Sequence, residues 1–362
     1  MPLIDHSNFT FSADQLRDYS ELIVKQITEV PMIDKIFTFE RGIRNDREIG
    51  LVDGSFGLIG KAAQDCGTRT PETQELGTQA KKWEPKRLEI LLRQCWKDLD
   101  ANMGRMARKL GLDVYNLEGT DYLDLILAIL QPDLNRTLMR KAWLDDTSAA
   151  LVTASPSGVI TAGQDITYFN LIDGLFAQLE DIVTGDSNRG TTISENSQST
   201  GALQDSELTN QEAYEYILQV IDDAEPALRA APDQMLLTTG SIGRKAMRYL
   251  QAQGLAFTID FAIKGLKLMT VDGIPIWILE SWDEWVRAYQ RNTTGSPAVP
   301  VYNAPHRIVY TTKSNLVFGM EGDTVLDRFD VYHDKVTKYT YIEAIDAFDV
   351  KVIQDNLVQY GA

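Results

Sequence analysis

The chain has 362 residues, 44 % hydrophobic and 24 % charged, the balance of a folded protein long enough for two or three packed units. Its formal net charge of −17, from 52 acidic against 35 basic residues, excludes the basic footprint that tight nucleic-acid wrapping needs and disfavours docking on an anionic membrane. Cys66 and Cys95 make neither a disulfide framework nor a zinc site, and no apolar run approaches the roughly 18 residues of a membrane span.

Residues 12–30 read as an amphipathic helix. Ser12 is a cap with Gln15 at capping-box spacing, Leu16, Tyr19, Ile23 and Ile27 form one stripe, and Pro31 ends it. From Lys35 to Leu99 the chain is β-rich with Gly breaks around a polar, turn-rich middle. "KRLEILLRQ" alternates Leu88, Ile90 and Leu92 against Arg87, Glu89 and Arg93, which favours a strand, although Leu88, Leu91, Leu92 and Cys95 also suit a helix. Two strands around a long polar tip make an extended hairpin, which has little core of its own and must lean on something. This part of the chain is also the one that is not acidic. Residues 31–110 hold 15 Lys and Arg against 12 Asp and Glu, a net of +3, and the remainder holds 20 against 40, a net of −20. Ordinary surface variation is one reading; a segment that lies on a neighbour's acidic surface is the other.

Residues 119–145 predict a long helix with Thr120 as cap and a stripe of Leu123, Leu127, Leu130, Leu134 and Leu138. Pro132 falls inside the stripe without breaking its register, as at a kink. The run 185–207 is rich in Gly, Ser, Thr and Asn and reads as a long polar surface loop. A capping box at Thr209 and Glu212 opens a helix, "QMLLTT" reads as a strand, and a second helix runs from near Ser241 to Gly254, which together make an α/β unit. The stretch "MTVDGIPIWILESWDEW" then places a Gly-x-Pro turn before Trp277, Trp282 and Trp285. Gly273 permits a tight turn, Pro275 suits a strand start or edge, Trp277 reads as core, and Trp282 or Trp285 is a candidate interface residue. The tail alternates polar and apolar residues, as antiparallel strands do.

No set of residues assembles a reaction. "GSFGLIGKA" has Ser55 where a phosphate loop needs Gly, and Ala62 after Lys61 where it needs Ser or Thr. "TTGSIGR" has Thr239 where a nucleophile elbow needs Gly, so Ser241 reads as a helix cap. His6, His306 and His333 read as tail or surface histidines, with His333 in a charged turn. Asp145-Asp146 and Asp222-Asp223 are adjacent pairs that point apart, as on a solvated face. No cofactor, metal or catalytic residue is assigned, and the chain is read as a non-enzyme.

The order of elements resembles that of tailed-bacteriophage major capsid proteins, the Hong Kong-phage-type fold shared with encapsulin shells. "QMLLTTGSIGRKAMRYLQAQG" resembles the family's strand–helix pair and Gly273-Ile274-Pro275 its G-x-P strand. Ser314, Asn315, Leu316 and Gly319 match its Ser-Asn-Leu turn, and "EAIDAFDVKVIQDNLVQY" is similar to its closing peripheral strand. The resemblance implies an α+β capsid fold in four parts. Residues 1–30 are an N-terminal arm and 31–100 an extended β-hairpin loop. Residues 101–150 and 326–362 form a peripheral domain with a spine helix, and 151–325 an axial domain carrying the 185–207 insertion. It also implies a virion protein, assembled in the bacterial host cytoplasm, whose partners are many copies of itself in hexamers and pentamers. Further implied partners are a portal, separate scaffold or decoration proteins, and packaged double-stranded DNA held weakly and without sequence specificity; no membrane is involved. The residues expected at contacts between subunits are Arg44, Arg47, Lys81, Lys82, Trp83, Arg87, Trp282 and Trp285. An encapsulin-type shell and a soluble α/β ligand-binding enzyme are the alternatives.

Overall fold

The computed structural model describes residues 35–45, 47–53, 77–95, 136–153, 158–254, 260–263, 266–271, 273–293, 299–322, 328–334 and 339–362. The expected N-terminal helix, the phosphate-loop near miss, Pro132 and most of the expected spine helix lie outside these residues.

The strands, in chain order, are β1 (Thr38–Arg41), β2 (Glu48–Asp53), β3 (Gly77–Lys82), β4 (Lys86–Cys95), β5 (Gly190–Thr191), β6 (Gln234–Thr239), β7 (Asp260–Ile263) and β8 (Leu266–Val271). They continue with β9 (Ile274–Leu279), β10 (Arg291–Asn292), β11 (Val301–Tyr302), β12 (Ile308–Thr312), β13 (Leu316–Met320), β14 (Arg328–Asp334), β15 (Tyr339–Val352) and β16 (Val358–Gly361). The main helices are α1 (136–144), α2 (Leu175–Gly185), α3 (Gly201–Glu207), α4 (Asn210–Asp223), α5 (Gly240–Ala252) and α6 (Glu280–Tyr289).

A seven-stranded sheet in the order β5-β16-β12-β6-β9-β8-β7 is packed on both faces. The alternation along each strand sets the two layers. Leu236, Ile276, Ile308 and Tyr310 face Ala213, Ile217 and Val220 of α4 and Ile242 and Ala246 of α5. Met235, Leu237, Val309, Val358 and Tyr360 face α1, α2 and α6. With period-2 strands and helices against both faces, this is a three-layer unit. The capping box at Thr209 and Glu212 forms as expected. Gly273 takes φ +81 in the β8–β9 turn, and Pro275 sits where its missing N–H costs nothing, because pairing of β9 with β6 starts only at Ile276.

A second, five-stranded sheet runs β1-β13-β15-β14, with β4 also on β15. Phe318, Met320, Phe348 and Val350 of this sheet join the same core as α1, α2 and α6. "KRLEILLRQ" is a strand, as the alternation favoured, antiparallel to β15 from Lys86↔Phe348 to Cys95↔Tyr339. β2 and β3 form the antiparallel hairpin stem.

Four expectations change. The run 185–207 is folded rather than a surface loop. Gly190 and Thr191 pair in parallel with Tyr360 and Gly361, Ile193 is fully buried, and Gln204 donates to the carbonyls of Asn196 (2.8 Å) and Tyr302 (2.9 Å). Gln204 replaces missing backbone partners inside the protein, while Ser187, Asn188, Thr192, Ser197 and Ser199 face water. The chain also does not finish in the sheet of β15, since β16 inserts between β5 and β12 of the seven-stranded sheet. Asp145 is fully buried, not solvated. It accepts from Lys141 Nζ at 3.0 Å, and the same ammonium donates to the carbonyl of Tyr168 at 2.9 Å. His333 lies in a strand rather than a turn. Asp222 and Asp223 are exposed, as expected.

Gly319 of the Ser-Asn-Leu-x-x-Gly motif is required by packing. A Cβ there would lie 2.7 Å from the Trp83 ring and 2.8 Å from Ile43. Gly319→Val is therefore expected to lower stability by about 1–3 kcal/mol, read as a shift in the urea midpoint. An unchanged midpoint would mean that the Trp83 contact is not tight.

Candidate assembly surface

The hairpin stem is fixed to the body at a small core of its own, where Trp83, Ile43 and Val317 pack together. Ile43 N donates to the carbonyl of Met320 at 3.0 Å and Trp83 N to that of Arg47 at 3.1 Å. Glu84 N donates to Asp349 Oδ2 at 2.9 Å. Lys81 Nζ donates to the carbonyl of Val352 at 2.8 Å and pairs with Asp355. These contacts set the direction in which β2 and β3 leave the body. Beside the stem runs a groove of about 810 Å³, walled by Lys81 and Lys82 on one side and by Asp181, Arg189, Glu225 and Asn356 on the other.

The eight residues expected at subunit contacts divide sharply. Trp83, Trp282 and Trp285 are buried within their own chain, so their rings present nothing to a neighbour. Trp282 packs on Trp143 (4.6 Å between centroids) and Phe176 (4.9 Å). Trp277, expected as core, is the half-buried one, with Lys35 Nζ 5.7 Å from its ring. A Gly and two tryptophans in one stretch thus reflect a turn and a core, and no spacing signal separates a core Trp from an interface Trp. Lys81 is used internally, as above. Arg44, Arg47, Lys82 and Arg87 remain exposed. Arg47 pairs with Glu40 at 3.0 Å and Lys82 with Glu48 at 3.3 Å. Among the described residues Arg44 and Arg87 form no ion pair. Exposed pairs of this kind are worth little, so these cations are available to another chain.

The other polar constellation is buried. Ser241 does not cap α5; Thr239 is the N-cap and uses no side-chain bond. His306, expected at the surface, is buried. Its Nε2 faces the carbonyl of Gln204 at 2.8 Å and so carries the proton; Nδ1 then accepts from Ser241 Oγ at 2.8 Å. Burial holds the imidazole below its ordinary pKa. The adjoining cavity is about 20 Å³, room for about one water and no substrate, so this pair ties α3 to α5. Among the described residues no helix is long and apolar enough to cross a membrane, and no group of His, Cys, Asp and Glu is set to hold a metal.

Burial pushes the carboxyls of Asp145 and Asp283 up to about 6, against the opposing pull of Lys141 and Arg244. A carboxyl whose folded pKa is raised favours the protonated fold. The stability it contributes is full below about 3.8 and is lost as pH rises through about 6. Between pH 5 and 7.5 the unfolding free energy of the parent chain is expected to fall by on the order of 1 kcal/mol relative to that of Asp283→Asn, a difference that removes the opposite slope of His306. A difference that rises over this interval would contradict the assignment.

Comparison with known proteins places this geometry. No family model matches the sequence, and no curated protein matches it. Among solved structures, a chain of the satellite phage P4 procapsid that includes the size determination (Sid) protein is similar over 94 % of this chain and 98 % of that one, at 9 % identity and a TM-score of 0.51. A structure from Gordonia phage Cozz is similar over 100 % and 98 %, at 13 % identity and a TM-score of 0.50. An encapsulin complex from Synechococcus elongatus covers 92 % and 89 % at 9 % identity, but its TM-score of 0.43 is too low to carry an argument.

Proposed function

We propose, for a chain whose fold is that of phage-capsid subunits, that it is a structural shell protein: many copies close into an icosahedral head around double-stranded DNA. The observation that carries this reading is the hairpin stem held on the body at Trp83, with the exposed cations Arg44, Arg47, Lys82 and Arg87 at and beside its base on an otherwise acidic chain. The exposed cations there, Arg44, Lys82 and Arg87, of which only Lys82 is ion-paired among the described residues, suit an acidic surface on a second copy, and pre-organisation of the stem lowers the cost of contact. Likeness in fold over nearly the whole length to a procapsid chain supports the same reading. The boundaries 1–30, 31–100, 101–150 with 326–362, and 151–325 are proposed as arm, extended loop, peripheral and axial domains. The closing strand β16 is shared with the axial sheet. The net charge of −17 suits a container, since DNA at high density is enclosed more easily by walls that do not bind it. A portal, scaffold or decoration proteins, and assembly in the bacterial cytoplasm belong to the proposal. The chain acts through area and symmetry rather than through a reaction.

Electron microscopy of the purified protein, with light scattering on a sizing column, tests it. Closed particles, or pentamers and hexamers, are expected. A monomer or dimer that never associates would overturn the reading. The triple variant Arg44→Glu, Lys82→Glu, Arg87→Glu is expected to cut particle yield about tenfold or more while its circular dichroism stays unchanged. Lys81 is left intact because it binds its own chain. Full yield from the triple variant would remove the stem from the interface.

A further inference from the structure

The segment 194–207 is bounded by two buried apolar residues, Ile193 and Leu208, yet it contributes no buried apolar side chain of its own. Its buried residues are Glu195, Gly201 and Gln204, and Leu203 of α3 stands 36 % exposed. Polar contacts hold it down. Asn196 brackets the His306 backbone, accepting from its N at 3.0 Å and donating to its carbonyl at 2.8 Å. Gln204 does the same for Tyr302, at 3.0 and 2.9 Å. Gly201 N donates to the carbonyl of Pro300 at 2.6 Å, Lys245 Nζ to that of Leu208 at 2.8 Å, and His306 Nε2 to that of Gln204 at 2.8 Å. An element with few buried apolar contacts opens at a lower cost than the sheet beneath it.

Beneath it lie the N-terminal ends of α5 and α6. β6 and β9 are parallel, and the helices that follow them leave to opposite faces, α5 packing with Leu236 and α6 with Leu237. Sheets of this kind have a crevice at such a point. Here it is filled, and only the small cavity between Gln204, Ser241, Asp283 and His306 is left.

We infer that 194–207 is a flap over this crevice, hinged at Ile193 and Leu208, and that acid releases it through His306. The device is a property of the single chain and stands whether or not copies assemble. His306 touches both sides, Gln204 on the flap and Ser241 on α5. When the ring gains a proton its hydrogen bonds survive, because Ser241 Oγ, 3.1 Å from Thr239 Oγ1, can turn its own proton there and accept from Nδ1. What changes is charge, since a cation now lies buried. Burial disfavours it most. The Gln204 carbonyl favours it, Lys245 of α5 opposes it, and Asp205 and Glu195 of the flap favour it. Across the cavity α6 presents Asp283 and Arg287. The balance holds the closed-state ring below its ordinary 6.5, so closure is full above that value and weakens as pH falls below it. Asp283, pushed up to about 6, has the opposite slope, so the opening is to be read locally.

Hydrogen exchange of the full chain, followed by mass spectrometry at pH 7.0 and 5.0 and corrected for intrinsic rates, tests it. The amides of 196–206 are expected to lose protection at least about threefold at the lower pH, while those of α4 keep theirs. His306→Gln keeps a donor for the Gln204 carbonyl but cannot titrate. Its flap is expected to show the same protection at both pH values, whatever the level. Asp283→Asn is expected to leave the loss in place. Unchanged flap protection in the parent, an equal loss in α4, a loss that persists in His306→Gln, or one that vanishes in Asp283→Asn would each overturn the release. None of these results bears on whether shells form.

Discussion

The rings of Trp143, Phe176 and Trp282 meet with centroids 4.6 to 5.1 Å apart, and three helices reach the two sheets through that contact. Trp143 ends α1, Phe176 opens α2 and Trp282 opens α6. Tilted and edge-on packing of large rings adds to their area burial. Both sheets contribute to the same core, through Val309 and Tyr360 on one side and Phe318 and Val350 on the other. Removing any ring would leave a void shared by five elements, and such voids cost more than the lost area alone. The Arg307 guanidinium lies 4.2 Å over Phe176 and donates to Gln290 Oε1 at 3.1 Å. Inside this core a cation is held by a ring face and neutral acceptors.

From this centre outward the structure becomes more exposed and its purpose changes. The hairpin stem has only Trp83, Ile43 and Val317 as its core, yet Lys81 and Glu84 hold it at defined angles. The internal use of Trp83 and Lys81 decides which cations are left for another chain. A stem that is already ordered loses little freedom on contact, so weak exposed charges suffice when symmetry repeats them many times. The groove beside the stem, walled by Lys81, Lys82, Arg189 and Glu225, opens beside these contacts.

Polar residues inside the fold act mainly as backbone partners. Asn196 receives from His306 N and donates to its carbonyl, Gln204 does the same for Tyr302, and Asn315 bridges to the Gln354 and Leu357 carbonyls. Each joins segments distant in sequence. The run 185–207 has the composition of a loop and keeps many exposed residues, yet Thr191, Ile193, Glu195 and Gln204 are buried among distant segments, which composition does not reveal.

Local chemistry was legible in the sequence. The Thr209–Glu212 capping box, the Gly273 turn, the alternation of β4, the strand and helix at 234–252, and the order of elements needed only neighbours within a few residues. Partners far along the chain were not legible. Nothing near Trp83 announces Gly319, nothing near Ser241 announces His306, and the apolar spacing of Trp282 is the same for a core as for an interface. Asp145 reads as a solvated acid until Lys141 and the Tyr168 carbonyl surround it. The physical reason is common to all four cases. Backbone preferences and caps act over one turn or one strand pair, whereas burial depends on which surfaces meet after the chain has closed on itself.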